Sequence, residues 1–161
     1  MLKDIEWQHM LPDFLMEAQK LLAKSDECLS HLELFANDKD AIECLLGTLL
    51  TLAHKADELG LDGITDFSLR ISRLLSLAYP HTTLQGDALR ALENCFTLLA
   101  WQLELVDATT GLLPLDDSEQ VELLYSFATI AGLEHELASL MPTATWSPSL
   151  ALRLNVPAHR H

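Results

Sequence analysis

Residues Ile42–Gly60 read IECLLGTLLTLAHKADELG. Apolar side chains recur in this stretch at steps of three and four residues, the spacing that places them on one face of an α-helix. They are Ile42, Leu45, Leu46, Leu49, Leu52, Ala56 and Leu59. Asn37 or Asp38 is a suitable cap for the start of this helix, and Gly60 is typical of the position just beyond its end. The stretch therefore predicts a helix that packs through one side and exposes the other.

The same periodicity predicts helices along most of the remaining chain. They are expected over Pro12–Phe35, Thr65–Ala78, Asp87–Val106 and from Asp117 or Ser118 to Met141, with residues 3–10 as a short extra helix or arm. Strict alternation of apolar and polar residues, which is typical of strands, is not evident. We therefore expect an all-α fold, an up-and-down antiparallel four-helix bundle with an additional C-terminal helix. The bundle should occupy residues 1–141, and residues 142–161 a proline-containing tail.

The composition bounds the possible partners. The chain has 161 residues, a formal net charge of −14 and a hydrophobic content of 49%, which is ample for a packed core. This acidity argues against a nucleic-acid partner and against an anionic membrane surface, because both require clustered Lys and Arg. The imbalance is strongest after Arg90, since the next Lys or Arg is Arg153. The later helices should therefore present a negative surface.

The three cysteines, Cys28, Cys44 and Cys95, are odd in number and widely spaced. This pattern favours a reduced, cytoplasmic protein over a disulfide-bonded one. The N-terminal residues contain acids and no long apolar run, so they do not resemble a signal peptide. No stretch of the length needed to cross a bilayer is free of charged or polar breaks.

The run FLMEAQKLLAKSDECLSHLELFANDKDAIECLLGTLLTLAHKADELGLDGI, residues 14–64, resembles the first two helices of histidine phosphotransfer (HPt) domains. The closest likeness is to the N-terminal domains of chemotaxis sensor kinases of the CheA type. Phe14, Glu17-Ala18 and Leu21-Leu22 match the opening helix, and Leu59-Gly60-Leu61 matches the close of the helix that carries the phosphoacceptor histidine. No gap is needed between these two anchors.

The ungapped register places Leu50, and not a histidine, at the phosphoacceptor position. It also places Ala53 where the family has lysine and His54 where the family has its first glycine. A leucine has no nucleophilic nitrogen, and loss of the lysine removes a charge that would stabilise a phosphoryl group. The resemblance therefore implies a degenerate HPt-like protein with no catalytic residue and no cofactor.

In HPt domains the outer face of the second helix contacts the receiver domain. Helical geometry places six residues on or near that face in this chain: Glu43, Gly47, Leu50, Thr51, His54 and Asp57. We expect this face to bind a signalling protein, namely a receiver domain, a histidine kinase or another regulator in a bacterial two-component or chemotaxis-like pathway. An outward Leu50 beside Gly47 would form a small apolar spot able to seat a partner side chain.

Two alternatives to docking remain open. His54 could itself accept a phosphoryl group, one helical turn from the expected position, although the acidic Asp57 and Glu58 nearby would hinder approach of a dianion. The chain could also be a structural or oligomerising bundle, with a homo-oligomeric interface and only a coincidental likeness to the family.

Other candidate sites are weaker. Cys28 and His31 lie three residues apart, which allows a shared helix face, but two ligands are too few for a metal site and no third is evident. No metal site is therefore expected. Trp101 is expected to fill the bundle interior, and Trp146 to hold the tail against the helices. Alternatively, Leu150, Leu152 and Leu154 of the tail could bind another protein.

Overall fold

A computed structural model describes residues 2–107, 118–133 and 135, with side chains from residue 9 onward. All the regular structure in this part of the chain is helical. The helices are α1 (Leu2–Leu34), α2 (Lys39–Glu58), α3 (Asp62–Ala78), α4 (Asp87–Leu105) and α5 (Ser118–Ile130). This confirms the expected all-α fold, a four-helix bundle with an additional C-terminal helix. The tail predicted for residues 142–161 lies outside the described residues.

The first four helices form a closed ring. α2 packs against α1 and α3, while α4 packs against α1 and α3 and so completes the ring. Only residues 35–38, 59–61 and 79–86 connect them, and such short connections join antiparallel neighbours. α5 packs on the outside of this ring, against α4 and α3. α4 thus lies across the bundle from α2.

The inward face of α2 is the one that the apolar periodicity predicts. Leu45, Leu49, Leu52 and Ala56 are completely buried. Removing one such leucine side chain from water stabilises the fold by about 1.5–3 kcal/mol. These residues hold one side of α2 against α1 and α3, which fixes the rotation of the helix about its own axis. The residues that face solvent are fixed by the same contacts.

Both ends of α2 have well-formed caps. At the start, the Asp38 carboxylate accepts a hydrogen bond from the Ala41 N–H at 3.1 Å. At the end, Gly60 has a φ of +74°, and the Leu61 N–H donates to the Ala56 carbonyl at 2.9 Å. This is a Schellman-type ending, which favours glycine because the left-handed conformation strains residues that carry a Cβ.

Asn37 ties together two loops at one end of the bundle. Its amide nitrogen donates to the carbonyls of Tyr79 and Thr82 at 3.2 and 2.9 Å. Its side-chain oxygen accepts from the Leu84 N–H at 2.7 Å. In the same region the Thr82 hydroxyl donates to the Ala131 carbonyl at 3.0 Å. The α1–α2 loop, the α3–α4 loop and the end of α5 therefore meet in one polar network.

Three predicted helix boundaries are wrong. α1 runs without interruption from Leu2 through Pro12 to Leu34, so Pro12 lies inside the helix and not in its first turn as predicted. A proline removes one backbone donor, and here Leu11 and Phe14 on either side of it are buried and hold the helix in place. α3 begins at Asp62, three residues before the predicted Thr65.

α5 ends at Ile130 instead of continuing to Met141. Gly132 adopts a φ of +76°, and the Leu133 N–H donates to the Ala128 carbonyl at 2.7 Å. This is the same ending as that of α2, and it terminates the helix. Most of residues 134–141, where the helix was expected to continue, lie outside the described part of the chain.

Trp101 is not a core residue, contrary to the prediction. Its side chain is 61% exposed on α4. The physical reason is its position on the helix, since it lies two residues from both Leu99 and Leu103, which are buried. Two residues correspond to about 200° of helical rotation, so Trp101 points away from the bundle.

Candidate functional site

The outer face of α2 carries all six residues assigned to it from the sequence. Glu43, Gly47, Leu50, Thr51, His54 and Asp57 are all exposed. We call this set the α2 strip. The structure therefore brings these six residues together on one exposed surface.

Leu50 is the main apolar feature of the α2 strip. Its side chain is 51% exposed, so it points away from the bundle core. Gly47 lies one turn before it, and a Cβ added at Gly47 would meet no atom within 4 Å. The surface beside Leu50 is thus open, with no side chain filling it.

Ala53, at the position where the resemblance expects lysine, is only 2% exposed. Its carbonyl accepts a hydrogen bond from the Thr65 hydroxyl of α3 at 3.4 Å, so this edge of α2 faces α3. A lysine here would have to extend along the helix surface to keep its ammonium group in water. Position 53 therefore supplies no positive charge next to Leu50.

His54 lies on the α2 strip one turn after Leu50. Its Nε2 is 3.9 Å from a carboxylate oxygen of Glu58, and its side chain is 77% exposed. The neighbouring Lys55 turns towards α1 instead, where its Nζ is 3.1 Å from Glu17. His54 is therefore accessible, but its nearest charged partner is an acid, and the lysine beside it in sequence is engaged elsewhere.

A shallow cleft of about 250 Å³ adjoins this end of the α2 strip. It lies between α1 and α2 and contains apolar and charged groups. Its lining residues are Met10, Asp13, Phe14, Glu17, Lys55, Glu58 and Leu59. Because Glu58 lines the cleft and also approaches His54, the cleft and the α2 strip form one continuous surface.

The other residues singled out from the sequence do not form a site. The His31 ring packs on Phe35 with centroids 4.8 Å apart, and its Nε2 is 3.5 Å from the Asp38 carboxylate. Within the described residues, no group of three or more His, Cys, Asp and Glu side chains is arranged to hold a metal ion. Over the same residues, no helix combines the length and the apolar character required to span a bilayer.

Cys28 of α1 and Cys44 of α2 lie close together, which the sequence spacing did not indicate. Burial, a hydrogen bond with Cys44 and the like charge of that thiol raise the pKa of Cys28 to about 12. Both residues are half-buried and neither forms a disulfide. A thiol with this pKa is almost entirely protonated at neutral pH, so Cys28 is a poor nucleophile.

Glu33 of α1 and Glu93 of α4 form a second pair that sequence analysis missed. They line a polar hollow between the two helices together with Arg90. Burial, a hydrogen bond with Glu33 and the like charge of Glu33 raise the pKa of the Glu93 carboxyl, and Arg90 opposes this shift. The two residues are 60 positions apart, and only the packing of α1 on α4 brings them together.

Comparison of the chain with protein-family models, with curated proteins and with solved structures yields no match. The likeness to HPt domains therefore depends on the residues of the α1 and α2 region alone.

Proposed function

We propose that this protein is a non-catalytic, HPt-like docking protein of a bacterial two-component or chemotaxis-like pathway. It binds a receiver domain, a histidine kinase or another regulator through the α2 strip. The observation that carries this proposal is Leu50, which is half-exposed at the position where the resemblance expects the phosphoacceptor histidine. A docking surface can persist after the reactive imidazole is lost, because shape and chemistry depend on different atoms.

The surroundings of Leu50 fit a contact residue. A side chain that enters a partner's pocket contributes most when the contacts around it exclude water. Here Leu50 stands beside the open surface at Gly47, and Glu43, Thr51, His54 and Asp57 surround it. The strip carries acids at both ends, so a partner with cationic groups around an apolar depression would complement it.

The direct test is binding to purified receiver domains and histidine kinases of the organism that encodes the chain, measured by biolayer interferometry. Leu50→Ala should weaken the complex by about tenfold or more, the loss typical of a central contact residue. Leu69→Ala is the matched control, because Leu69 is 44% exposed on α3 and lies outside the α2 strip. If no partner binds, or if both variants bind as the parent does, the proposal is wrong.

A second candidate function, phosphotransfer through His54, has one favourable observation, the exposure of its imidazole. Incubation with a phosphorylated receiver or an autophosphorylated kinase separates the two functions. An acid-labile label that disappears in His54→Gln would establish transfer, whereas binding with no label on any histidine supports docking alone. A self-interface that covers the α2 strip, with no signalling partner bound, would instead support an oligomerising bundle.

A further inference from the structure

A second exposed apolar surface lies on α4, away from the α2 strip. Trp101 is 61% exposed and Leu105 is 41% exposed. These residues are four positions apart and so share one side of the helix. We call this pair the α4 apolar face. Tryptophan is enriched at protein contact surfaces, and Trp101 is the most exposed residue of this face.

The sequence around the α4 apolar face contains many acids and no Lys or Arg over a long stretch. Glu104 lies between Trp101 and Leu105 and is exposed. No Lys or Arg occurs between Arg90 and Arg153, whereas nine acids do. α3 carries Arg70 and Arg73, and α2 carries Lys39 and Lys55. α4 and α5 carry five acids, Asp87, Glu93, Glu104, Glu119 and Glu122, against one cation, Arg90, so their surface complements a cationic, apolar segment.

The C-terminal segment of the same chain has this chemistry. Residues 137–161 contain no Asp or Glu. They contain Arg153 and Arg160, and apolar residues at alternate positions, namely Leu150, Leu152, Leu154 and Val156. Such a segment can place its apolar side chains on Trp101 and Leu105 while its arginines approach the acids beside them.

The segment is also long enough to reach this face. The Thr82 hydroxyl donates to the Ala131 carbonyl, so the end of α5 lies near the α3–α4 loop and hence near the start of α4. Trp101 is 14 residues beyond Asp87, which is roughly 21 Å along the helix axis. The 17 residues from Leu133 to Leu150 can span up to roughly 55 Å. Because the segment is tethered, its effective concentration at α4 is in the millimolar range, and even a weak contact would be populated.

We infer that residues 142–161 bind back onto the α4 apolar face, with Leu150, Leu152 and Leu154 against Trp101 and Leu105, and Arg153 beside Glu104. This contact is independent of the proposed function, since it lies across the bundle from the α2 strip.

Photo-cross-linking in the full chain tests this inference. A benzophenone amino acid in place of Leu152 keeps that position apolar and reacts with whatever lies against it. Digestion after glutamate is suitable, because trypsin finds no site between Arg90 and Arg153. Cleavage after Glu93 and Glu104 releases residues 94–104, which contain Trp101. We expect the cross-link to map to this peptide or to the next one, which begins at Leu105.

Three variants of the cross-linking protein make the result decisive. Trp101→Ala should reduce the yield to near background, and it should not disturb folding because Trp101 is exposed. Arg153→Glu should reduce the yield by roughly two- to fivefold, as expected for a screened surface charge pair. Leu69→Ala, which removes an exposed apolar side chain of α3, should leave the yield unchanged.

Several outcomes would overturn the inference. One is a cross-link to another helix, and another is no cross-link at all. A third is a yield that Trp101→Ala does not change. A cross-link that forms only between isotopically distinct chains would also overturn it, because the occupant would then be a second copy or a partner.

Discussion

Removing the Asn37 side chain should measurably destabilise the bundle, although Asn37 contributes nothing to the apolar core. The side chain makes three hydrogen bonds to backbone groups 42 to 47 residues away. A neutral hydrogen bond of this kind contributes about 0.5–1.5 kcal/mol net. Asn37 is only half-buried, so water can replace part of what is lost. We therefore expect Asn37→Gly to lower the free energy of unfolding by about 2 kcal/mol.

Asn37→Ala separates the hydrogen bonds from the backbone conformation. Asn37 has a φ of +54°, a conformation that glycine adopts freely and that costs a residue with a Cβ about 1–2 kcal/mol. Asparagine tolerates it better than alanine does. The alanine variant should thus lose the same three bonds as the glycine variant and, in addition, about 1 kcal/mol from backbone strain.

Urea denaturation followed by far-ultraviolet circular dichroism measures both variants, with the unfolding free energy extrapolated linearly to water. Amide hydrogen exchange at Leu84 gives a local readout, because its N–H loses its acceptor in both variants. A glycine variant within 0.5 kcal/mol of the parent, with unchanged exchange at Leu84, would refute the claim that this network holds the loops. An alanine variant as stable as the glycine variant would refute the contribution of backbone strain.

Two further predictions concern Glu93 and the three cysteines. The pKa of Glu93 is raised in the folded state, so the folded protein binds this proton more tightly than the unfolded chain does. The free energy of unfolding therefore falls as the pH rises from the pKa of the unfolded state through that of the folded state. Glu93→Gln should therefore raise the free energy of unfolding at neutral pH by a few tenths to about 1 kcal/mol. The same substitution should have little effect on stability below pH 4.5, where the carboxyl is protonated. Urea titrations that show an equal effect at neutral pH and below pH 4.5 would contradict this prediction. Burial raises the pKa of Cys95 to about 12, so Cys95 should react with a disulfide reagent only on unfolding, after the half-buried Cys28 and Cys44. Cys95→Ser should abolish the slow phase, and three equal rates in the parent would disprove the order.

Much of the fold could be predicted from helical periodicity, because burial of an apolar stripe is a local property of the sequence. Ile42, Leu45, Leu49, Leu52 and Ala56 recur at the helical spacing, and all are buried. The positions of these buried residues also determine which residues lie on the outer face of α2, so the six residues of the α2 strip could be predicted from the sequence. The same spacing places Trp101 on the side of α4 opposite the buried Leu99 and Leu103, so its exposure also follows from the sequence pattern.

Helix ends were predicted less well where they depended on the surroundings. Pro12 looked like a first-turn residue, yet buried neighbours on both sides continue α1 through it. Gly132 ended α5 earlier than the apolar pattern alone indicated, because a left-handed glycine turn outweighs the further apolar residues that follow.

By itself, the sequence determined the helical class, the buried and exposed faces of α2, and the presence of a side chain with no nucleophilic group at position 50 of the exposed face. These depend on the order of neighbouring residues and on the 3.6-residue turn. Only the tertiary structure decided that Asn37 joins two loops, that Cys28 meets Cys44 and that Glu33 meets Glu93. Those contacts link residues far apart in the chain, and they arise from how the helices pack and from the short loops that align them, which no local pattern encodes.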